Sequence, residues 1–178
     1  MKQQKLKRAL KNKAIKFDDG KPPLHLLPSC TYQALRLYSG QEDIYTSSDP
    51  CFRRSVDYLL ESLDGNVDFG LCIKKATVYT IAAMRLRYGL GETFDLVAEV
   101  LKFGAAKYGP YNWVKGMEYT RLQRAAIGHL LRQGTLDKET KLPHEAHALC
   151  DQLFLWEYAE RGLGVDDRFK YPEKKGAL

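Results

Sequence analysis

The sequence predicts an all-α protein, a bundle of helices, and three observations support this. Several segments carry apolar residues at the three- and four-residue spacing of an amphipathic helix. Glycine and proline mark short connections between these segments. One segment, HEAHALCDQLFLWEY at residues 144–158, is apolar nearly all round, as is normal for a helix buried in a bundle. Bundles build metal and cofactor sites from side chains that face inward.

The composition indicates one globular domain preceded by a basic arm. The chain has 178 residues, of which 44% are hydrophobic, and its net charge is +6. Residues 1–16 contain seven lysines and arginines and no acid, so the rest of the chain is close to neutral. We therefore divide the chain into an arm, residues 1–16, and a single domain, residues 17–178. The arm could contact nucleic acid or a phosphorylated ligand, or could simply be solvated.

The hydropathy and the cysteine spacing of the sequence both bear on where in the cell the protein is located. The sequence contains no apolar run long enough to predict a membrane span or a signal peptide, so we expect no membrane partner. Its four cysteines, none in C-x-x-C spacing, indicate reduced thiols and hence a cytoplasmic protein.

The first half of the chain predicts a loop and two helices. Glycine and prolines in KFDDGKPPLHLLP predict a loop or an extended segment suited to a ligand. A helix follows, with Asp49 as its cap and Pro50 at its first position, and it ends near Gly65. Residues 70–88 combine the β-type ATVYTI with the helix-favouring AAMRLRY, and we interpret them as a helix.

Three helices are predicted in the second half. ETFDLVAEVLKFGAAKYG has a broad apolar surface and ends at glycine. YTRLQRAAIGHLLRQG has Thr120 as a plausible cap and ends at Gly134. The third is the apolar segment at residues 144–158.

Two of these helices carry narrow polar stripes at i, i+3 and i+7. One consists of His144, His147 and Asp151, and the other of Glu92, Asp95 and Glu99 with Lys102 beside it. Carboxylates suit Mg²⁺, and Mn²⁺ also accepts imidazole, so together the stripes could form a cage for divalent cations. Nearby cations, namely Lys102, Lys107, Arg121 and Arg124, would complement an anionic polyphosphate.

Each stripe residue also has a structural interpretation. Glu92 can simply stabilise its helix N-terminus, and the histidines can be hydrogen-bonded core residues. Glu99 is the strongest candidate ligand, because a buried carboxylate without a partner is costly. The motifs G-x-S-x-G, P-loop, G-x-G-x-x-G and H-E-x-x-H are all missing from the sequence.

Three blocks resemble a known family, in the same order along the chain. They are KFDDGKPPLHLLP, VAEVLKFGAAKYGPYNWVKG and HLLRQGTLDKETKLPHEAHALCDQLFL, and they resemble the MazG-like phage dATP/dGTP diphosphohydrolases. The resemblance implies an all-α homodimer or homotetramer that uses Mg²⁺ or Mn²⁺ to convert dGTP and dATP to monophosphates. It also implies a role in 2-aminoadenine nucleotide synthesis, in the host cytoplasm.

The resemblance, taken with the stripes, implies a set of site residues. The implied metal ligands are Asp95, Glu99, His147 and Asp151. The implied catalytic residues are Glu99, Lys102 and Lys107. The implied substrate-binding residues are Lys16, Asp18, Gly20, Lys21, Asn112, Trp113, Arg124 and His129.

The sequence also departs from the family pattern. It has Gly128-His129 in place of RH, Gly134-Thr135 in place of GE, and His25 in place of an acid. Residues 38–90 are expected to be an insertion between the first two blocks. Two other functions remain open at this point. One is a nucleic-acid-binding protein that uses the arm, although we do not favour a nucleic-acid partner, and the other is a noncatalytic nucleotide sensor.

Overall fold

A computed structural model describes residues 21–39 and 45–172. The described residues form six α-helices, two short 3-10 helices and no strand, which confirms the predicted all-α bundle. The α-helices are α1 (Thr31–Ser39), α2 (Ser48–Glu61), α3 (Phe69–Tyr88), α4 (Leu90–Tyr108), α5 (Tyr119–Leu130) and α6 (His144–Arg161). The 3-10 helices are Leu24–Leu26 and Asn112–Lys115. The predicted arm, with Lys16, and the positions Asp18 and Gly20 lie outside the described residues.

Helix α6 is the centre of the bundle, as its apolar circumference predicts. It packs against α3, α4 and α5. Ala148, Leu149 and Leu153 are fully buried, and Trp156 is nearly so. A helix in this position has contacts on every side, so its few polar residues must face either a buried polar partner or a cavity.

Helix α3 resolves the ambiguity of residues 70–88 in favour of the helix. Its N-cap is Asp68, whose carboxylate accepts a hydrogen bond from the Leu71 N–H at 2.9 Å, and its C-cap is Gly89, with a φ of 91°. Its β-branched residues Val78, Thr80 and Ile81 are buried. Tertiary packing against α2, α4 and α6 therefore outweighs the β-type composition of this segment.

Two predicted helix caps are wrong. Helix α2 begins at Ser48, so Asp49 lies in its first turn, where its carboxylate accepts a hydrogen bond from Arg87 at 3.2 Å. Helix α5 begins at Tyr119 and ends at Leu130, before Gly134. Thr120 lies inside it and donates its N–H to the Asp167 carboxylate at 2.9 Å. A residue distant in sequence thus satisfies the free N–H that a local cap would normally satisfy.

A buried polar chain connects three helices. Ser55 of α2 and Thr80 of α3 share a hydrogen bond at 2.7 Å, and the Gln152 side-chain amide of α6 donates to Ser55 at 2.9 Å. Residues 38–90 supply α2 and α3, so the described part of the predicted insertion packs in the common core. That the segment is an insertion stays a prediction.

The predicted cysteine chemistry and the membrane expectation can both be compared with the structure. All four cysteines are buried free thiols, in agreement with the sequence. None of the helices in the described ranges is long and apolar enough to cross a membrane.

Candidate functional site

A cavity of about 570 Å³ lies where α4, α5 and α6 meet the loop that joins α4 to α5. Its volume is in the range of small-molecule sites, which are mainly apolar with a few polar groups. The apolar part of its lining includes Val100, Leu101, Leu122 and Phe154. The polar and aromatic side chains of the lining are Tyr108, Tyr111, Asn112, Trp113, Lys115, Arg121 and Asp151.

The loop at residues 109–116 holds one wall of the cavity in a defined conformation. Its end glycines, Gly109 and Gly116, have φ angles of 89° and 80°. A Cβ at Gly116 would stand 2.7 Å from the Gly164 backbone nitrogen, so only glycine fits there. The backbone of Tyr111 also adopts the left-handed conformation, with a φ of 56°, and the Tyr111 hydroxyl donates a hydrogen bond to the His25 carbonyl at 3.2 Å.

Trp113 anchors this loop to helix α6. Its ring stacks on Phe154 with centroids 5.0 Å apart. The Tyr158 hydroxyl donates to the Trp113 carbonyl at 2.6 Å. These two contacts fix the 3-10 helix Asn112–Lys115 against the bundle. Asn112, the first residue of this helix, lines the cavity.

Asp151 is the one carboxylate of the cavity lining within the described residues. Protein atoms surround its carboxyl group, which remains partly open to the cavity, and desolvation raises its pKa to about 8. No group in the described part of the chain donates a hydrogen bond or forms an ion pair with it. A half-buried carboxyl without a partner is costly, so a cation or hydrogen-bond donor supplied by a ligand would stabilise it.

The acidic stripe lies on another side of α4. Leu101, Gly104 and Tyr108, which line the cavity, are about half a turn around the helix from Glu92, Asp95 and Glu99. Glu99 is only half-buried, and its carboxylate pairs with Lys102 at 3.0 Å. The expectation that Glu99 is deeply buried and without a partner is therefore wrong, and its role as a metal ligand stays a prediction.

The two stripes do not come together in the structure as a cage. In residues 21–39 and 45–172, no three or more histidine, cysteine, aspartate or glutamate side chains are placed to hold one metal ion. Among the described residues of the cavity lining, Asp151 fits a hard cation, because its carboxyl oxygens have no protein partner there and a bound cation would favour the ionised form. The residues thus fit an ion that takes its other ligands from water and from a substrate, as Mg²⁺ commonly does at phosphate sites.

The histidines form a cluster of their own between α5 and α6. The Nδ1 atoms of His129 and His144 are 2.7 Å apart, and His129 stacks on His147 with centroids 4.8 Å apart. His147 also bonds to the Thr140 hydroxyl at 2.8 Å through Nε2. Each of the three imidazoles therefore contacts another imidazole of the cluster, and none of the three lines the cavity. The predicted ligand and substrate roles of His147 and His129 stay predictions.

The histidine cluster makes folding stability depend on pH. Desolvation, followed by the proximity of His147 and His144, lowers the pKa of His129 from 6.5 to about 4. The unfolded chain therefore binds this proton more readily, and stability present above pH 6.5 is lost as pH falls towards 4. We expect a loss of about 2 kcal/mol from this group, allowing for its partial exposure. Urea unfolding between pH 7 and 4 measures it.

The variant that tests this is His129→Gln, with His25→Gln as its matched control. His25 is exposed and lies outside the cluster. Between pH 7 and 4, His129→Gln should lose about 2 kcal/mol less stability than the wild type, whereas the change in His25→Gln should match that of the wild type. An unchanged pH dependence in His129→Gln would contradict the assignment.

The remaining predicted residues lie at the surface. Lys107 pairs with Glu139 at 2.7 Å, and this carboxylate raises the pKa of Lys107. Arg124 and Lys21 are exposed and do not line the cavity. Of the predicted site residues that are described, the cavity lining brings together Asn112, Trp113 and Asp151.

The cavity lining also includes Lys115, which the sequence analysis does not single out, and Arg121, which it names only as one of several cations near the stripes. Tyr108 and Tyr111 line the cavity as well, and Tyr108 belongs to the KYG…NW motif that carries the family resemblance. The aromatic content of KYGPYNWVKG was a usable signal, because aromatic residues between two glycines in a short loop are well placed to line a pocket.

The comparisons with known proteins give one match. A family model described as dATP/dGTP diphosphohydrolase, N-terminal, matches residues 76–168, just over half of the chain. The matched range contains α4, α5, α6 and all of the cavity lining except Leu26. Neither a curated protein nor a solved structure matches the chain.

Proposed function

The chain belongs to the dATP/dGTP diphosphohydrolase family and is a nucleoside triphosphate hydrolase, and from this we propose that it hydrolyses dGTP and dATP to the monophosphates in the cavity between α4, α5 and α6. The observation that carries the proposal is Asp151. Its carboxyl group faces the cavity without a partner in the described part of the chain. Sites that bind a polyphosphate with a divalent cation commonly hold the cation through one or two carboxylates and the phosphates themselves.

The cavity also offers the positive charge that a triphosphate requires. Lys115 and Arg121 line it, and both side chains are exposed at its surface. Cations near the phosphates stabilise the negative charge that shifts between oxygens as the phosphorus–oxygen bond breaks. Apolar and aromatic side chains, among them Leu101, Tyr108 and Trp113, supply a surface for the purine ring.

The proposal includes Mg²⁺ or Mn²⁺ as cofactor, with Asp151 as its protein ligand. When bound, the ion would neutralise phosphate charge and activate water for attack on phosphorus. Asp151 would hold the ion, and the apolar lining around it would limit the access of bulk water. Asp95, Glu99, Lys102 and Lys107 retain the roles predicted from the sequence as a second hypothesis, centred on the acidic stripe.

The wider context is proposed on the resemblance alone. It comprises a homodimer or homotetramer, a cytoplasmic location and a phage pathway in which the dGMP product supports 2-aminoadenine nucleotide synthesis. Buried free cysteines favour a reducing compartment.

A direct assay tests the activity. The purified chain is incubated with each deoxynucleoside triphosphate in Mg²⁺, in Mn²⁺ or in chelator, and the nucleotides are resolved by ion exchange. We expect metal-dependent formation of dGMP and dAMP, with slower or no turnover of the pyrimidine substrates. Separate assays of phosphate and pyrophosphate identify the bond that is cleaved. Metal-dependent dGTP binding without turnover would contradict the proposal and indicate a sensor.

A further inference from the structure

Resting on this proposed function, we propose that the Asn112 side-chain amide reads the base edge of the substrate and allows one site to accept both guanine and adenine. Asn112 lines the cavity and is half-buried. No other group in the described residues forms a hydrogen bond with its amide. Its neighbours Tyr111 and Trp113 belong to the same wall, so an amide donor and acceptor lie beside aromatic surface.

The backbone around Asn112 is fixed, and this favours recognition over a passive surface position. The preceding residue, Tyr111, is left-handed and bonded to the His25 carbonyl, and the following residue, Trp113, is stacked on Phe154. A left-handed tyrosine is strained and persists where the surrounding contacts impose it. Because the backbone is fixed, the position of the Asn112 side chain's first carbon is fixed as well. The amide group at its end can still turn about the last side-chain torsion.

That rotation gives a single side chain two complementary patterns. An amide has one acceptor oxygen and one donor nitrogen. In one orientation the oxygen accepts from guanine N1–H while the nitrogen donates to guanine O6. After a half-turn the oxygen accepts from the adenine 6-amino group while the nitrogen donates to adenine N1. Each base thus receives two hydrogen bonds from the same two atoms, and neither orientation leaves the amide oxygen or nitrogen of Asn112 unpaired.

The hydrogen bonds alone do not separate purines from pyrimidines, because cytosine and thymine offer similar edges. Ring size supplies that distinction. A purine fills more of the apolar and aromatic lining, and its edge reaches further from the sugar. Asn112 would therefore be a specificity-determining residue that sets which purine is accepted.

The test is Asn112→Asp, which replaces the amide by a group that only accepts. Guanine offers two donors to a carboxylate, N1–H and the 2-amino group, whereas adenine N1 would face it with a lone pair. We expect the ratio of kcat/KM for dATP to that for dGTP to fall by about 10- to 100-fold, as for loss of a bidentate base contact. The ratio is taken within one enzyme, so a general effect of the new charge on triphosphate binding cancels.

Two controls sharpen this test. Asn66→Asp makes the same chemical change at an exposed residue outside the cavity lining and should leave the ratio unchanged. dITP lacks the 2-amino group, so Asn112→Asp should lower activity on dITP relative to dGTP, whereas the wild type should treat the two alike. Circular dichroism confirms that each variant is folded.

The outcomes separate this inference from the proposed function. If the wild type hydrolyses both purines and Asn112→Asp keeps the wild-type ratio, the base-reading role is overturned and the hydrolase stands. If the wild type hydrolyses neither purine, the proposed function fails, and the inference is then tested by binding. Isothermal titration with dGTP and dATP in Mg²⁺ should show the same change of preference, and an unchanged preference overturns it.

Discussion

Replacing Asp151 by Asn is expected to lower kcat for dGTP and dATP by at least about 100-fold, the order of effect seen when one preorganised charge-stabilising group is removed. Asp151 faces the cavity with no hydrogen bond or ion pair in the described residues, so the substitution breaks no internal contact. Asparagine has nearly the same size as aspartate, so we expect the packing around this position to be preserved. The loss should therefore appear in turnover and in metal affinity, measured by steady-state kinetics across a Mn²⁺ titration, with the melting temperature retained.

Glu99→Gln is the comparison that distinguishes the two carboxylate assignments. It makes the same change on the acidic stripe, where Glu99 pairs with Lys102. A loss confined to Asp151→Asn places the cation in the cavity. A loss confined to Glu99→Gln would place it at the acidic stripe and contradict the role proposed for Asp151. Asp57→Asn, at an exposed residue of α2, is the control and should retain wild-type kinetics.

The sequence predicts which residues share a helix face, but it does not predict what that face meets. His144, His147 and Asp151 lie along one side of α6 as predicted. Two of them meet His129 of α5, while Asp151, one turn further on, meets the cavity. The sequence predicts a desolvated carboxylate without a partner at Glu99, whereas in the structure Glu99 pairs with Lys102 and the description fits Asp151.

Hydrophobic periodicity and glycine positions predict the helices correctly where interactions between residues close in sequence determine the structure. The all-round apolar character of α6 and the glycine at the end of α4 were sufficient to predict a buried helix and a helix terminus. The start of α5 was misplaced because Asp167, distant in sequence, binds the Thr120 N–H. The cavity itself depends on how the loop at residues 109–116 folds back onto Phe154 and His25, contacts that no periodicity encodes.

Replacing Arg87 by Ala is expected to lower the free energy of unfolding by about 3–5 kcal/mol, the cost of leaving a buried charge without its partner. Glu145 is fully buried at the start of α6, and its Oε1 accepts hydrogen bonds from Arg87, from the Tyr88 hydroxyl at 3.2 Å and from the Gly134 N–H at 2.9 Å. Its Oε2 has no hydrogen-bond partner in the described residues. The Arg87 guanidinium also lies 4.9 Å from the centre of the Phe52 ring, so the substitution removes packing as well as charge.

The cause of this loss can be separated by a double-mutant cycle measured by urea unfolding at pH 7. If the uncompensated Glu145 carboxylate is responsible, Arg87→Ala combined with Glu145→Gln should be more stable than Arg87→Ala alone, because the buried charge is then removed. Arg54→Ala breaks an exposed ion pair on α2 with a separation of 3.9 Å and should cost less than about 1 kcal/mol. Equal losses in Arg87→Ala and Arg54→Ala would show that Glu145 does not depend on the guanidinium. Additive effects around the cycle would assign the loss to packing on Phe52 instead.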